Sequence, residues 1–228
     1  MHGRGEGPIQ RYERRLLAPT PAGALHRFLI GPVGTFLTNT PVFLLPPRLN
    51  LQPKHRVLDL QAGRGGILRF LAARIPFHER PVGLDASPAV LRLARRDMGA
   101  APPVDLVAGR LTHLPFADGS FDLVIAAHAF RHLADPGLRQ CLVEVHRVLR
   151  ASGVLVAWEF APLSSRALNR FHLWLLARDP VRPHLRGFGP LAHLAAEAGF
   201  VRIERPLLRP FLFPPIPRTA IFAQKGEE

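Results

Sequence analysis

The sequence predicts an α/β protein with a mostly parallel sheet and helices on both faces. Three observations carry that expectation. From residue 56 onward, short apolar runs of β type alternate with amphipathic helical stretches, the pattern of parallel strands joined by crossover helices. The first two apolar runs each end in a carboxylate, Asp59 and Asp85, and the first leads into a glycine-rich turn. The chain has 228 residues, enough for one domain with a substantial core.

Ahead of residue 56, helices are expected at 9–17 and 22–30, and the remainder is punctuated by proline. Residues 1–54 therefore read as an N-terminal helical cap packed on a domain of residues 55–228. Strands are expected at 56–60, 81–85, 104–107, 121–126 and 153–158, with helices at 65–74, 87–97 and 137–149. In the last helix Leu138, Cys141, Leu142, Val145, Val148 and Leu149 recur at helical spacing. Ser87 followed by Pro88 reads as an N-cap with proline at the first helical position. Further helices are expected at 163–177 and 190–198, the second stopped by Gly199. Strands at 200–208 and 218–224 flank the proline-rich run 210–217. In sheets of this kind ligands bind beyond the carboxyl ends of the strands, so chemistry is sought there.

Composition narrows the function. The formal charge is +13, yet Lys54 and Lys225 are the only lysines, and the arginines are scattered from Arg4 to Arg218 with no run longer than a pair. That distribution reads as the arginine bias of a GC-rich genome; a nucleic-acid partner stays open but is not favoured. Cys141 is the single cysteine, which rules out an intrachain disulfide and fits a cytoplasmic protein. The first 20 residues are polar and arginine-rich, unlike a secretory leader. Residues 28–47 carry no charge, but Gly31, Pro32, Gly34, Asn39, Pro41, Pro46 and Pro47 interrupt them. Buried cap segments are expected there and no transmembrane segment, with peripheral membrane contact left open. No histidine set has metal-ligand spacing, so no metal is expected. Cys141, inside an amphipathic helix, reads as packing and not as a nucleophile.

The chemistry concentrates in Asp59-Leu60-Gln61-Ala62-Gly63-Arg64-Gly65. Glycines allow the unusual dihedrals and close ligand approach that such a turn needs. Asp85, 26 positions after Asp59, can accept both hydrogen bonds of a ribose diol. The spacing is not G-x-G-x-x-G, and no G-K-[ST] comes after it as in a phosphate-loop NTPase. This segment resembles the first motif of the class I S-adenosylmethionine-dependent methyltransferases, and Gly83-Leu84-Asp85-Ala86-Ser87 resembles the second. The run from Leu114-Pro115-Phe116 through Ser120-Phe121-Asp122 is similar to the family's LPF-x-D-x-SFD stretch. His128–Leu133 and Glu144–Gly153 resemble the family's next two segments, in the same order. The branch most resembled contains the ubiquinone and menaquinone biosynthesis methyltransferases.

The resemblance implies a Rossmann-like fold with a seven-stranded sheet whose last strand is antiparallel, and S-adenosyl-L-methionine as cofactor. It implies that Gly63 and Gly65, with Ala62, let the loop pass under the methionine part, that Asp59 orients the loop or the amino group, and that Asp85 and Ala86 meet the ribose. Arg110 and Leu111 would lie by the adenine, and His128 near the sulfonium and acceptor. His128, His132 and Glu159 are candidate general bases. Two positions depart from the pattern: Gln61 stands where the family has a small residue, and Arg110 where it commonly has an acid. The expected reaction is methyl transfer to a small apolar or aromatic acceptor, with Phe28, Phe36, Phe43, Phe211 and Phe213 either roofing the acceptor site or completing the core. The alternatives are an RNA-directed methyltransferase and a degenerate binding protein without catalysis.

Overall fold

In the computed structural model, residues 7–31, 50–98, 104–163, 165–170, 183–206 and 217–227 are described. The chain begins with helices α1 (Pro8–Leu17) and α2 (Pro21–Leu29). It continues through β1 (Val57–Leu60), α3 (Gly66–Ala72), β2 (Val82–Asp85), α4 (Pro88–Met98) and β3 (Asp105–Ala108). Then come β4 (Phe121–Ala127), a single 3-10 turn at Phe130–His132, α5 (Asp135–Val148) and β5 (Leu149–Phe160). The described chain closes with α6 (Phe188–Glu197), β6 (Phe200–Glu204) and β7 (Arg218–Lys225).

The seven strands form one sheet in the order β3-β2-β1-β4-β5-β7-β6. Neighbours from β3 to β5 are parallel, and β7 runs antiparallel to both β5 and β6. The seven strands and the antiparallel last strand expected from the resemblance are present. The central strands are buried on both faces, so their sequences are almost uninterruptedly apolar. In β1, Leu58 and Leu60 join the core under α5 and α6, while Val57 joins the second core under α3. Trp158, Ile125 and Leu123 lie in that second core with Leu68 and Leu71.

Several boundaries differ from those expected, for local reasons. Helix α5 starts at Asp135, two residues early, because Pro136 sits in the first turn, where its missing N–H is no loss. Strand β5 starts at Leu149 directly after α5; its register against β4 shifts between Phe121 and Leu123, and Ser152 takes φ +58°. The polar Arg150-Ala151-Ser152, outside the strand expected at 153–158, is thus an irregular strand start. β3 lies one residue later than expected, and β6 ends at Glu204. Of the helix expected at 163–177, residues 166–170 are helical and 171–182 lie outside the described residues. Ser87 caps α4, its Oγ accepting from Val90 N at 3.2 Å. Gly199 ends α6 with φ +96°.

No helix lies between β3 and β4; residues 109–120 cross as a loop tied to α5. Leu114 N donates to Glu144 at 2.7 Å, and Arg147 donates to the carbonyls of Leu114 and Phe116 and to Asp118 and Glu144. Farther along, Asp122 accepts from Arg56 N at 2.7 Å and pairs with Arg150. Through these ties the E-V-H-R-V-L-R segment holds the LPF loop in place. Among the described residues no helix is long and apolar enough to cross a membrane.

Candidate functional site

The carboxyl ends of β1, β2, β4 and β5 converge on one edge of the sheet, and nearly all the expected site residues lie there. On the first side, β1 delivers Asp59, 1% exposed. Neither carboxylate oxygen of Asp59 has a hydrogen-bond partner among the described residues. Burial, and then the neighbouring Asp85, push its pKa well above the ordinary carboxylate range. An unpartnered buried carboxylate is costly; it is the kind of group that a donor-rich ligand completes.

The loop leaving β1 folds through three left-handed residues, Gln61 (φ +56°), Gly63 (φ +56°) and Gly65 (φ +74°). Gln61 thus adopts the very backbone that makes glycine the usual residue there. Its Oε1 is also buried without a partner among the described residues. A Cβ on Gly63 would meet nothing within 4 Å, so the loop presents open backbone at that point. The loop is latched to β2: Asp85 Oδ2 accepts from Gly63 N at 3.1 Å, Oδ1 accepts from Ser87 N at 2.8 Å, and Ala62 N donates to Leu84 O at 3.0 Å. Each Asp85 oxygen keeps a lone pair for a further donor. Burial raises the Asp85 pKa to about 6, against the lowering effect of the Ser87, Gly63 and Ala86 amides.

The other expected cofactor residues lie farther out. Ala86 is exposed just past the β2 tip. Arg110 is exposed and its backbone bridges to His113, while Leu111 packs half-buried against the first core.

On the second side, His128 comes just after β4 with φ +56° and is 8% exposed. Its ring stacks on Phe160 at 4.3 Å, and its Nδ1 lies 3.9 Å from Glu159 Oε2. The other oxygen, Glu159 Oε1, accepts from Phe130 N at 2.7 Å and Arg131 N at 3.4 Å. Burial lifts the Glu159 pKa to about 7, with Arg131 the chief opposing influence. His132 lies in the 3-10 turn, half-buried, with its backbone N–H on Ala129 O at 3.4 Å. His128 and Glu159 are therefore brought together, and His132 lies in the 3-10 turn that follows His128.

Three residues that shape the site have no signal in the spacing. Glu13, from α1, accepts from Ser87 Oγ at 2.7 Å and Ala89 N at 3.0 Å, beside Asp85. Arg64, in the glycine loop, pairs with Asp97 and donates to Arg27 O at 2.9 Å, tying the loop to α4 and α2. Arg186, 8% exposed, donates to Asp135 and to the carbonyls of Phe130 and Leu133, clamping the turn that carries Arg131 and His132. Of the phenylalanines, Phe28 is 50% exposed; Phe36, Phe43, Phe211 and Phe213 lie outside the described residues.

A family model described as a methyltransferase domain matches residues 57–153. The chain is 31% identical over 180 residues to the 2-phytyl-1,4-naphtoquinone methyltransferase of Thermosynechococcus vestitus, covering 79% of this chain and 75% of that protein. It is 41% identical over 115 residues to the demethylmenaquinone methyltransferase of Thermus thermophilus, half of each chain. It spans about half the length of several other curated relatives. Among solved structures, a SAM-dependent methyltransferase from Methanosarcina mazei superposes with a TM-score of 0.66 at 21% identity, over 80% of this chain and 98% of that one.

Proposed function

Because the chain belongs to the class I S-adenosylmethionine-dependent methyltransferases, we propose that it methylates a small apolar or aromatic acceptor in the cytoplasm. The carrying observation is the pair of strand-end carboxylates, Asp59 and Asp85, set around a left-handed loop that Asp85 itself latches. The residues present fit the family's cofactor. Asp59 has two oxygens unpartnered among the described residues, open to an amino group or its bridging water, Asp85 has lone pairs for a ribose diol, and Gly63 has open space.

Bound S-adenosylmethionine supplies an activated sulfonium methyl, so the protein's own task is alignment and exclusion of water. Gln61, Ala62, Gly63 and Gly65 would line the methionine end, with Ala86 and Leu111 flanking the nucleoside. Arg110 has donors only and cannot accept from an adenine amino group; its exposed position leaves that contact to backbone. On the acceptor side the stacked Phe160 and His128 rings would flank an aromatic acceptor. His128 is the candidate base, and Glu159, 3.9 Å from Nδ1, would stabilise its protonated form. His132, in the 3-10 turn that Arg186 clamps, is the other candidate histidine. An apolar or aromatic acceptor also agrees with relatives whose names specify naphthoquinone and menaquinone substrates.

Calorimetry with S-adenosylmethionine and S-adenosylhomocysteine tests the first half of this reading. Binding of both is expected; binding of neither to folded protein would leave the chain a non-catalytic relative. Transfer of labelled methyl to quinols and phenols, run beside transfer to RNA, tests the second half. Labelled RNA with unlabelled phenols would overturn it.

A further inference from the structure

We propose that Glu13 is a positioning residue for cofactor binding, which fixes Ser87 from the N-terminal helix and, through Ser87, the carboxylate of Asp85. The inference rests on the reading of Asp85 as the carboxylate that meets the ribose. Ser87 is the shared residue. Its N–H donates to Asp85 Oδ1 at 2.8 Å, while its hydroxyl donates to Glu13 Oε1 at 2.7 Å and accepts from Val90 N at 3.2 Å. The same Glu13 oxygen accepts from Ala89 N at 3.0 Å. Asp85 Oδ2 in turn accepts from Gly63 N at 3.1 Å. One hydrogen-bonded chain therefore runs from α1, through the start of α4 and the tip of β2, to the glycine loop.

Capping accounts for part of this arrangement. The first N–H groups of a helix have no partner within it, and an anion is favoured at that end. Glu13 and Ser87 Oγ take the N–H groups of Ala89 and Val90. Yet a serine N-cap needs only its own side chain. Glu13 comes from 74 positions away and orients the hydroxyl of the residue that holds Asp85. The cap is fastened at a second point on the same rim, where Arg64 of the glycine loop donates to Arg27 O at 2.9 Å and pairs with Asp97. Glu13 also acts on Asp85 by charge. Around Asp85, β1 contributes Asp59 and α1 contributes Glu13, while Arg64 of the loop and Asp97 of α4 pair with each other. From β3 the neighbour is Gly109, whose N–H donates to Asp85 O, with Arg110 exposed after it. The Glu13 carboxylate adds to the burial that raises the Asp85 pKa.

Two measurements on the full chain test this: calorimetric titration with S-adenosylhomocysteine from pH 5 to 8, and carbon-13 NMR titration of the Asp85 carboxyl without ligand. Glu13→Ala removes the acceptor from Ser87 and Ala89. It is expected to weaken binding at pH 8 about fivefold, the worth of about one hydrogen bond. Glu13→Gln keeps an acceptor oxygen and loses the charge. It is expected to restore the parent affinity at pH 8. It is also expected to move the fall in affinity and the Asp85 titration to lower pH, because a like charge that favours protonated Asp85 is gone. Unchanged affinity in Glu13→Ala with a lowered melting midpoint would make Glu13 a helix cap and nothing more. An Asp85 titration that does not move in Glu13→Gln would disconnect the two carboxylates. Either result overturns the proposal. A parent chain that binds no S-adenosylhomocysteine overturns the cofactor reading instead, and the ligand-free titration still decides whether Glu13 acts on Asp85.

Discussion

Gln61 carries a conflict between stability and binding that a substitution can separate. A non-glycine residue in the left-handed region costs about 1–2 kcal/mol, and glycine there costs about 0.5–1 kcal/mol in chain entropy. Gln61→Gly is therefore expected to be neutral or to stabilise the ligand-free protein by up to about 1 kcal/mol, read from urea unfolding. Its amide oxygen is buried and partnerless among the described residues, and a neutral hydrogen bond contributes about 1 kcal/mol. The same variant should then bind S-adenosylhomocysteine about fivefold more weakly. Tighter binding would mean that the side chain crowds the methionine end. Asp85 makes a different kind of prediction. Its pKa of about 6 reflects burial, and a ribose diol is best accepted by the ionised form, so affinity should be flat above pH 7 and weaken as pH falls through 6, approaching tenfold per unit. Asp85→Asn should bind weakly at every pH and lose that dependence. A parent affinity that does not change between pH 5 and 7 would remove Asp85 from the nucleoside contact.

Among the elements, the loop 109–120 and helix α5 show what a recognisable motif can and cannot say. The LPF and E-V-H-R-V-L-R segments helped identify the family, yet Glu144 and Arg147 act on the loop's backbone and on Asp118, with Arg150 paired to Asp122. Arg147→Ala leaves the carbonyls of Leu114 and Phe116 without their donor and is expected to cost about 2 kcal/mol. That corresponds to about 4–8 °C in the melting midpoint for a domain of this size, with cofactor affinity unchanged. A large affinity loss at an unchanged midpoint would contradict the structural role. The central strands were legible in the sequence because burial on both faces makes them continuous apolar runs, and α5 because its buried stripe repeats at helical spacing. The strand-end carboxylates and glycine turn were legible for the same local reason: their chemistry is written within a few residues. Glu13 and Arg186 were not, since their partners Ser87 and Asp135 lie 74 and 51 positions away, and no local pattern encodes such pairings. His128 was found by its place after β4, but its pairing with Glu159 needed β4 and β5 to be set side by side.

Across the whole molecule, the sheet gathers three buried carboxylates, Asp59, Asp85 and Glu159, at one edge, and this shapes the response to pH. All three have pKa values raised by burial, to about 6 for Asp85 and about 7 for Glu159. The folded chain therefore holds protons that the unfolded chain releases near pH 4. Their contribution to stability is fully present below the unfolded pKa and is lost as pH rises through the folded values. Of the 30 lysine and arginine side chains 28 are arginines, which stay charged throughout. The cations that titrate over the same range are the 11 histidines, and comparison with Glu159→Gln isolates the carboxylate share from theirs. The unfolding free energy of the ligand-free protein should thus fall between pH 6 and 8, by about 1 kcal/mol from Glu159 alone. Glu159→Gln should remove that share, since a neutral amide can still accept from Phe130 N. Excess S-adenosylhomocysteine should offset the Asp85 share, because ribose hydroxyls favour the ionised carboxylate and ligand stabilisation grows as pH rises through 6. Urea unfolding across this range, on parent and Glu159→Gln with and without S-adenosylhomocysteine, separates the two contributions. A parent whose stability rises from pH 6 to 8 would mean that these carboxylates are ionised in the fold and already paired, against the burial that the sheet edge imposes.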